Sequence, residues 1–444
     1  MINSITIIYH YKIGLLNHST IIKIQNYMNS ITTIKGWLKY FLIPACVLAF
    51  SSTLVFSESL PTEPETTCET DCKAANRHTE ILETAIHNYQ DIYAKGGWEH
   101  FPLGKSIKIH GKDSRIPILR RILSVMGDYK VETEDSAEVD VEILDENLSE
   151  AVKIFQERHG LEIDGAIGKK TQVALAVPVE FRIAQMKATL ERMQDMPELN
   201  KRHVLVNIAG FYLEAIDNNK TIINSRIIVG KPRHATPLFH RDIIEVSFNP
   251  QWHVPASIAR NEMMGKLRDE PEYFTKGNYV IRDSDGEVIN AEEIDWENQS
   301  DETYKFVQRA GSGNALGKIK FNLPDTNNIY LHSTGTPKLF AKAERALSHG
   351  CIRVEKAREL AHFVMSGMEG WNVERIDKLY DGRQSKILSV DPVEVYLVYW
   401  TSWVDEATKK PYFYTDVYGR DKKRVTEILE AMKNPEVKSE VADD

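Results

Sequence analysis

At His203 the hydrophobic pattern changes period, and this break constrains the fold more than any other feature of the chain. Before it, apolar residues recur at helical spacing. Ile81, Leu82, Ala85, Ile86, Tyr89, Ile92 and Tyr93 form one stripe, closed by Gly96-Gly97. A second holds Ile118, Leu119, Ile122, Leu123 and Met126 and stops at Gly127; a third holds Leu148, Val152 and Phe155 and stops at His159-Gly160. Asp164-Gly165 reads as a turn, and Gly168 precedes a helix with Thr171, Ala174 and Leu175. After the break, short β-rich runs follow from Val204 to Ile208, Phe211 to Ile216 and Thr221 to Val229, separated by Gly and Asn-Asn turns. Further strands are expected from Val393 to Trp400 and Tyr412 to Tyr418. The fold class is therefore α+β and multidomain: an N-terminal helical region, a small helical domain, then a β-rich domain. A chain of 444 residues, 42% hydrophobic and 27% charged, has room for two or three such domains.

Charge and cysteine usage narrow the function classes. A net charge of -9 without a long basic run gives nucleic acid no footing. Four cysteines are too few to build a disulfide scaffold. Lys35 and Lys39 precede a nearly uncharged run from Tyr40 to Phe56, the order of an export signal. The run is marginal against the ~20 residues that a membrane span requires. It is read as a cleaved signal or a retained membrane anchor, a buried core helix being the third alternative. Translation begins at Met1 or at Met28, where Asn29-Ser30-Ile31 restarts the pattern. Residues 58–73 are acidic and Pro- and Thr-rich, as a linker is, and the tail from Asn434 is expected to be disordered. In an oxidising compartment Cys68 and Cys72 are expected to pair, leaving Cys351 free.

The chemistry concentrates in Ser348-His349-Gly350-Cys351-Ile352-Arg353 and in His332. A cysteine attacks carbonyls as thiolate, and its ordinary pKa near ~8.5 calls for a neighbouring base or positive charge, which His332, His349 or Arg353 could supply. Gly350 permits a tight turn whose amides suit an oxyanion, with Ser348 in support. Val354, Ala357, Ala361 and Val364 predict a buried helix starting just after Cys351, its N-terminus lowering the thiol pKa further. Two other readings stand beside this one. A lone cysteine is more commonly a small core residue, and His332, His349 and Cys351 are zinc ligands by type, although no fourth ligand suggests itself.

The surroundings favour the nucleophile. A strand-like Asn328-Ile329-Tyr330-Leu331 leads into His332, then comes the polar turn Ser333-Thr334-Gly335-Thr336-Pro337, then the cysteine stretch. This arrangement resembles the L,D-transpeptidase catalytic domain of the YkuD family. The resemblance extends to Gly313-Asn314-Ala315-Leu316-Gly317, Lys320-Phe321-Asn322, Leu339-Phe340 and Arg345-Ala346-Leu347. Arg226 to Pro232, Thr236-Pro237, Asn249-Pro250 and Trp252 to Pro255 are similar to its large periplasmic members, in which an insertion caps the site. Ala151 to Gln156, His159-Gly160-Leu161, Asp164 to Gly168 and Thr171 resemble the peptidoglycan-binding module of cell-wall enzymes.

These resemblances imply a domain order: a leader over 1–57, the linker over 58–73, a helical scaffold over 74–115, a peptidoglycan-binding domain over 116–178 and a connecting helix over 179–202. A catalytic domain over 203–380 follows, capped at about 253–312, then a C-terminal extension over 381–432 and a tail over 433–444. They also imply a mechanism. Cys351 would attack the carbonyl of the L-centre in a tetrapeptide stem, release D-alanine and pass the acyl group to an amine on a neighbouring stem. His332 would move protons, backbone amides around Gly350 and Cys351 would hold the oxyanion, and His349 and Ser348 would support the turn. Arg353 and Tyr330 would meet substrate. No metal or organic cofactor is implied. Partners are peptidoglycan stems, the membrane if the apolar segment is uncleaved, and an unnamed D,D-carboxypeptidase or glycan synthase; the location is the periplasm or cell envelope. Hydrolysis of the same acyl-enzyme, or a noncatalytic wall anchor, are the alternatives.

Overall fold

A computed structural model describes residues 74–130, 140–270, 272–290, 294, 304–311 and 313–434. The chain divides into two compact units, 1–68 and 69–444, and every described residue belongs to the second. The run from Tyr40 to Phe56, the linker, Cys68, Cys72 and the tail beyond Asn434 lie outside the described residues. Among those described, no helix is long and apolar enough to cross a membrane.

The first helical stripe forms α1 (Ala74–Ala94), and α2 (Ile116–Val125), α3 (Glu146–Arg158) and α4 (Lys169–Leu175) make the small helical domain. Asp145 caps α3, its carboxylate accepting the Leu148 amide at 2.8 Å. The core of this domain joins Leu119, Ile122, Leu148, Phe155 and Ile167 to Phe101 and Ile107, which precede the helices. A bridge between Ile107 and Ile167 ties that earlier segment in. α5 (Val179–Gln194) then leads into the sheet.

The main sheet runs β1 (Arg202–Asn207), β2 (Tyr212–Asp217), β3 (Lys220–Gly230), β4 (Phe239–Phe248), then, after an insertion that contains β5–β8, β9 (Ile319–Asn322), β10 (Leu331–His332), β11 (Ala346–Ser348), β12 (Ile352–Val354) and, further on, β13 (Lys386–Val398). Among the described residues its order is β11-β3-β12-β10-β9-β4-β13-β1-β2. β3 pairs with β2 along 220–226 and with β12 at Ile227 and Ile228, so the sheet folds back on itself around one core. Alternation fills that core with Val204, Val206, Ile227, Val229, Val246, Phe321, Leu331 and Ile352, and α6 (Ala357–Met365) adds Leu360, Ala361 and Val364. The opposite face of β1 and β13, through Leu205, Tyr396 and Val398, packs against α1 and α5.

The insertion builds its own small sheet, β5 (Trp252–His253), β6 (Tyr279–Arg282), β7 (Val288–Ile289) and β8 (Lys305–Gln308), in the order β5-β8-β6-β7. Short helices within 256–276 pack on it through Ala259, Met263, Phe274 and Phe306.

Three expectations differ from the structure. The residues after Cys351 form strand β12, and the helix begins only at Ala357; buried Ile352 and Val354 flanking Arg353 have period two, and only Ala357, Ala361 and Val364 belong to the helical stripe. The strand expected in a C-terminal extension is β13, which lies inside the sheet, antiparallel to β4 and parallel to β1. Beyond it come the hairpin β14 (Ser402–Val404) and β15 (Pro411–Phe413), then α7 (Lys422–Lys433). The strand expected over Tyr412 to Tyr418 stops at Phe413.

Candidate active site

Strand register assembles the site. In β10, His332 lies opposite Lys320 of antiparallel β9 and opposite Arg353 of parallel β12, while Leu331 lies opposite Phe321 and Ile352. Leu331, Phe321 and Ile352 face the core, so Lys320, His332 and Arg353 share the other face of the sheet. Ser247 of β4 continues their row across Lys320, and Glu245 pairs with Asn322. Tyr330 and Cys351 stand one residue before Leu331 and Ile352, in phase with His332 and Arg353, and the Ile352 amide donates to the Tyr330 carbonyl at 3.0 Å. Residues far apart in sequence thus meet on one polar face backed by an apolar core.

The turn entering β12 is braced from several sides. Ser348, 2% exposed, donates its hydroxyl to the Cys351 carbonyl at 2.6 Å and accepts the Gly350 amide at 3.1 Å. The Thr236 hydroxyl donates to the Gly350 carbonyl at 2.7 Å and accepts the Gly230 amide at 2.9 Å. Gly350 has φ +118°, and a Cβ there would lie 3.1 Å from Ile329 Cδ1. On β3, a Cβ at Gly230 would lie 1.9 Å from the His234 carbonyl oxygen, so only glycine lets these two segments approach.

Half-buried Cys351 places Sγ 3.4 Å from the Asn328 carbonyl oxygen. Burial pushes its thiol pKa above the ordinary value, opposed by hydrogen bonds from the Tyr330 amide and hydroxyl and by the charges of Lys320 and Arg353. The expected depression of the thiol pKa is therefore not what the structure holds, and the helix expected to cause it starts beyond β12. His332 is 5% exposed, and its Nδ1 has no hydrogen-bond partner. Burial, then Arg353, pull its pKa down to about 3 against backbone carbonyl contacts at Ser333 and Leu316, with Lys320 adding to the fall. It is neutral at physiological pH, with Nδ1 unoccupied, and the same burial makes it a weak base in the resting state. Tyr330, expected to meet substrate, hydrogen-bonds the sulfur and the Trp252 side chain. Arg353 is half-buried, its Nε without a partner. Beside these groups opens a cleft of about 270 Å³ lined by Lys320, Asn322, Asp325, Asn328 and Tyr330.

His349 turns away from this face toward the insertion. Its Nε2 lies 2.5 Å from Glu262 Oε1, and its ring centroid is 5.0 Å from that of His234. His332, His349 and Cys351 do not converge as ligands; among the described residues the group whose ligand atoms gather is His240, Asp242 and Glu394, on β4 and β13. The roles of Glu262, Lys320 and Trp252 in this neighbourhood escape sequence reasoning, because no local spacing links them to Cys351.

Residues 201–394 match the family described as YkuD, L,D-transpeptidase catalytic domain, a span that contains the whole polar face. Over this span the chain is similar to the YkuD L,D-transpeptidase family. Residues 112–175 match a "Putative peptidoglycan binding domain". A "Putative L,D-transpeptidase" of Haemophilus influenzae is 32% identical over 249 residues, which are 55% of this chain and 49% of that protein. The chain thus spans about half the length of this curated relative. Among solved structures, an L,D-transpeptidase from Mycobacterium smegmatis overlaps 45% of this chain and 58% of its own at 13% identity and TM-score 0.21. One from Xylanimonas cellulosilytica overlaps 67% and 99% at 13% identity and TM-score 0.21.

Proposed function

We propose that the chain crosslinks peptidoglycan stem peptides through a cysteinyl acyl-enzyme in the cell envelope. The observation that carries this is the sheet register, which sets His332 and Arg353 side by side next to Cys351 on one polar face. In the first half-reaction the Cys351 thiol gives its proton to neutral His332 at the unpartnered Nδ1, and Sγ attacks the carbonyl carbon between the L-centre and the terminal D-alanine. The Gly350 amide is engaged by Ser348, so the Cys351 amide is the donor assigned to the oxyanion. The C–N bond breaks as His332 returns the proton to the leaving D-alanine amine, and a thioester remains. In the second half an acceptor amine gives a proton to His332 and attacks the thioester; the amide forms and the thiol is restored. Arg353 is suited by its fork of donors to a stem carboxylate, while Tyr330 holds the sulfur rather than the substrate.

The small helical domain is read as the wall-binding part. His349 is read as a brace between the catalytic turn and the cap through Glu262, not as a proton carrier. Incubation with disaccharide tetrapeptide followed by mass analysis tests the reaction. Crosslinked dimers are expected; tripeptides alone would mean hydrolysis of the acyl-enzyme, and unchanged substrate would mean a noncatalytic wall binder.

A further inference from the structure

One charged side chain on the catalytic face has no part in the steps above. Lys320 stands opposite His332 in β9 and lines the cleft. Its Nζ lies 4.2 Å from the centroid of the Tyr330 ring, the residue whose hydroxyl and amide hold the Cys351 sulfur. Its charge acts on Cys351 on one side and on Glu245 on the other. Glu245 itself is engaged by the Asn322 side-chain amide, and among the described residues no carboxylate forms an ion pair with Lys320. An ammonium ion over an aromatic face, half-buried and without a paired carboxylate, keeps its field directed at its neighbours.

We propose that Lys320 is a positioning residue for the nucleophile: its ammonium, seated on the Tyr330 ring at the wall of the cleft, stabilises the Cys351 thiolate through space and through Tyr330. The idea rests on the proposed acyl transfer for its purpose but not for its test. The need for such a cation follows from the site. His332 rests neutral, so no preformed imidazolium stands beside the thiol, and burial opposes ionisation of the thiol. A cation near the sulfur offsets that opposition. When the thiol ionises, its proton passes to His332 or solvent, and the electron pair stays on sulfur facing Lys320.

The test is alkylation of Cys351 by iodoacetamide in the full chain over about pH 6 to 10, read by the mass of the Cys351 peptide. The reagent is uncharged and reports thiolate whether or not stem peptides are substrates. Lys320→Met is expected to raise the midpoint by about one pH unit and to slow alkylation at neutral pH roughly tenfold. Lys320→Arg should restore most of the wild-type rate. Glu245→Gln, which removes the opposing charge, should move the midpoint the other way. An unchanged midpoint in folded Lys320→Met overturns the proposal. If Lys320→Met does not fold, an unchanged or raised midpoint in Glu245→Gln overturns it instead. Midpoints that move as expected in a protein that leaves tetrapeptides untouched uphold Lys320 and contradict only the proposed reaction.

Discussion

The neutral state that the proposed role of His332 requires comes chiefly from its burial. Burial first, then Arg353 and, more weakly, Lys320 on the flanking strands disfavour its charged form, so the ring stays neutral down to about pH 3. This has a measurable consequence. The folded protein binds its proton more weakly than the unfolded chain, whose histidine titrates near ~6.5, so stability falls as pH drops from about 6.5 toward 3. In urea unfolding, wild type should lose roughly 3 kcal/mol more than His332→Gln between about pH 7 and 4. Equal losses would contradict a buried neutral ring. The proposed nucleophile Cys351 and proposed base His332 stand out in the sequence by residue type and spacing. Lys320 and Glu262 were not, because they reach the site from a neighbouring strand and from the insertion, and cross-strand register is written in no local pattern.

At the scale of elements, the junction of β3 with the turn entering β12 is where a single atom matters most. Gly230→Ala would drive a methyl group onto the His234 carbonyl, and the segment must shift. It should lower stability by roughly 1–3 kcal/mol and slow Cys351 alkylation by displacing Gly350. Gly265→Ala, in a helical segment with open space around it, should be neutral or stabilise by up to about 1 kcal/mol. Urea midpoints for the two variants would show whether close approach, rather than glycine loss as such, is the cause. The change of period at His203 correctly divided helices from strands, and β1, β2 and β3 fall where alternation predicts. The position of β13 could not be read, since alternation reveals a strand but not its neighbours. Because β13 pairs with both β4 and β1, a chain truncated before Lys386 is expected to lose the β-sheet signal of the whole catalytic domain in circular dichroism, not merely an appendage.

At the scale of the molecule, the helical domain is fastened to the C-terminal hairpin by buried charge. Arg158 and Asp128 form a fully buried ion pair; Arg158 also donates to the Pro411 carbonyl at 2.5 Å, and Lys410 Nζ lies 3.0 Å from Asp128. Asp128→Ala strands the guanidinium and should cost about 3–5 kcal/mol, separating the melting of the helical domain from that of the sheet. One unbroken transition at the wild-type temperature would contradict that coupling. The fastening sets the domain that matches a putative peptidoglycan binding domain beside the main sheet, and the insertion reaches the Cys351 turn through Glu262 and His349. In the proposed reaction all of this gains its functional meaning from one covalent event, acylation of Cys351. The most direct test is the intact mass of the full chain after exposure to disaccharide tetrapeptide, for wild type, His332→Ala and Cys351→Ala. Wild type should carry the tripeptide acyl group on Cys351, His332→Ala should gain it roughly 100- to 10,000-fold more slowly, and Cys351→Ala should never gain it. An adduct on Cys351→Ala, or crosslinking by that variant at the wild-type rate, would contradict the account.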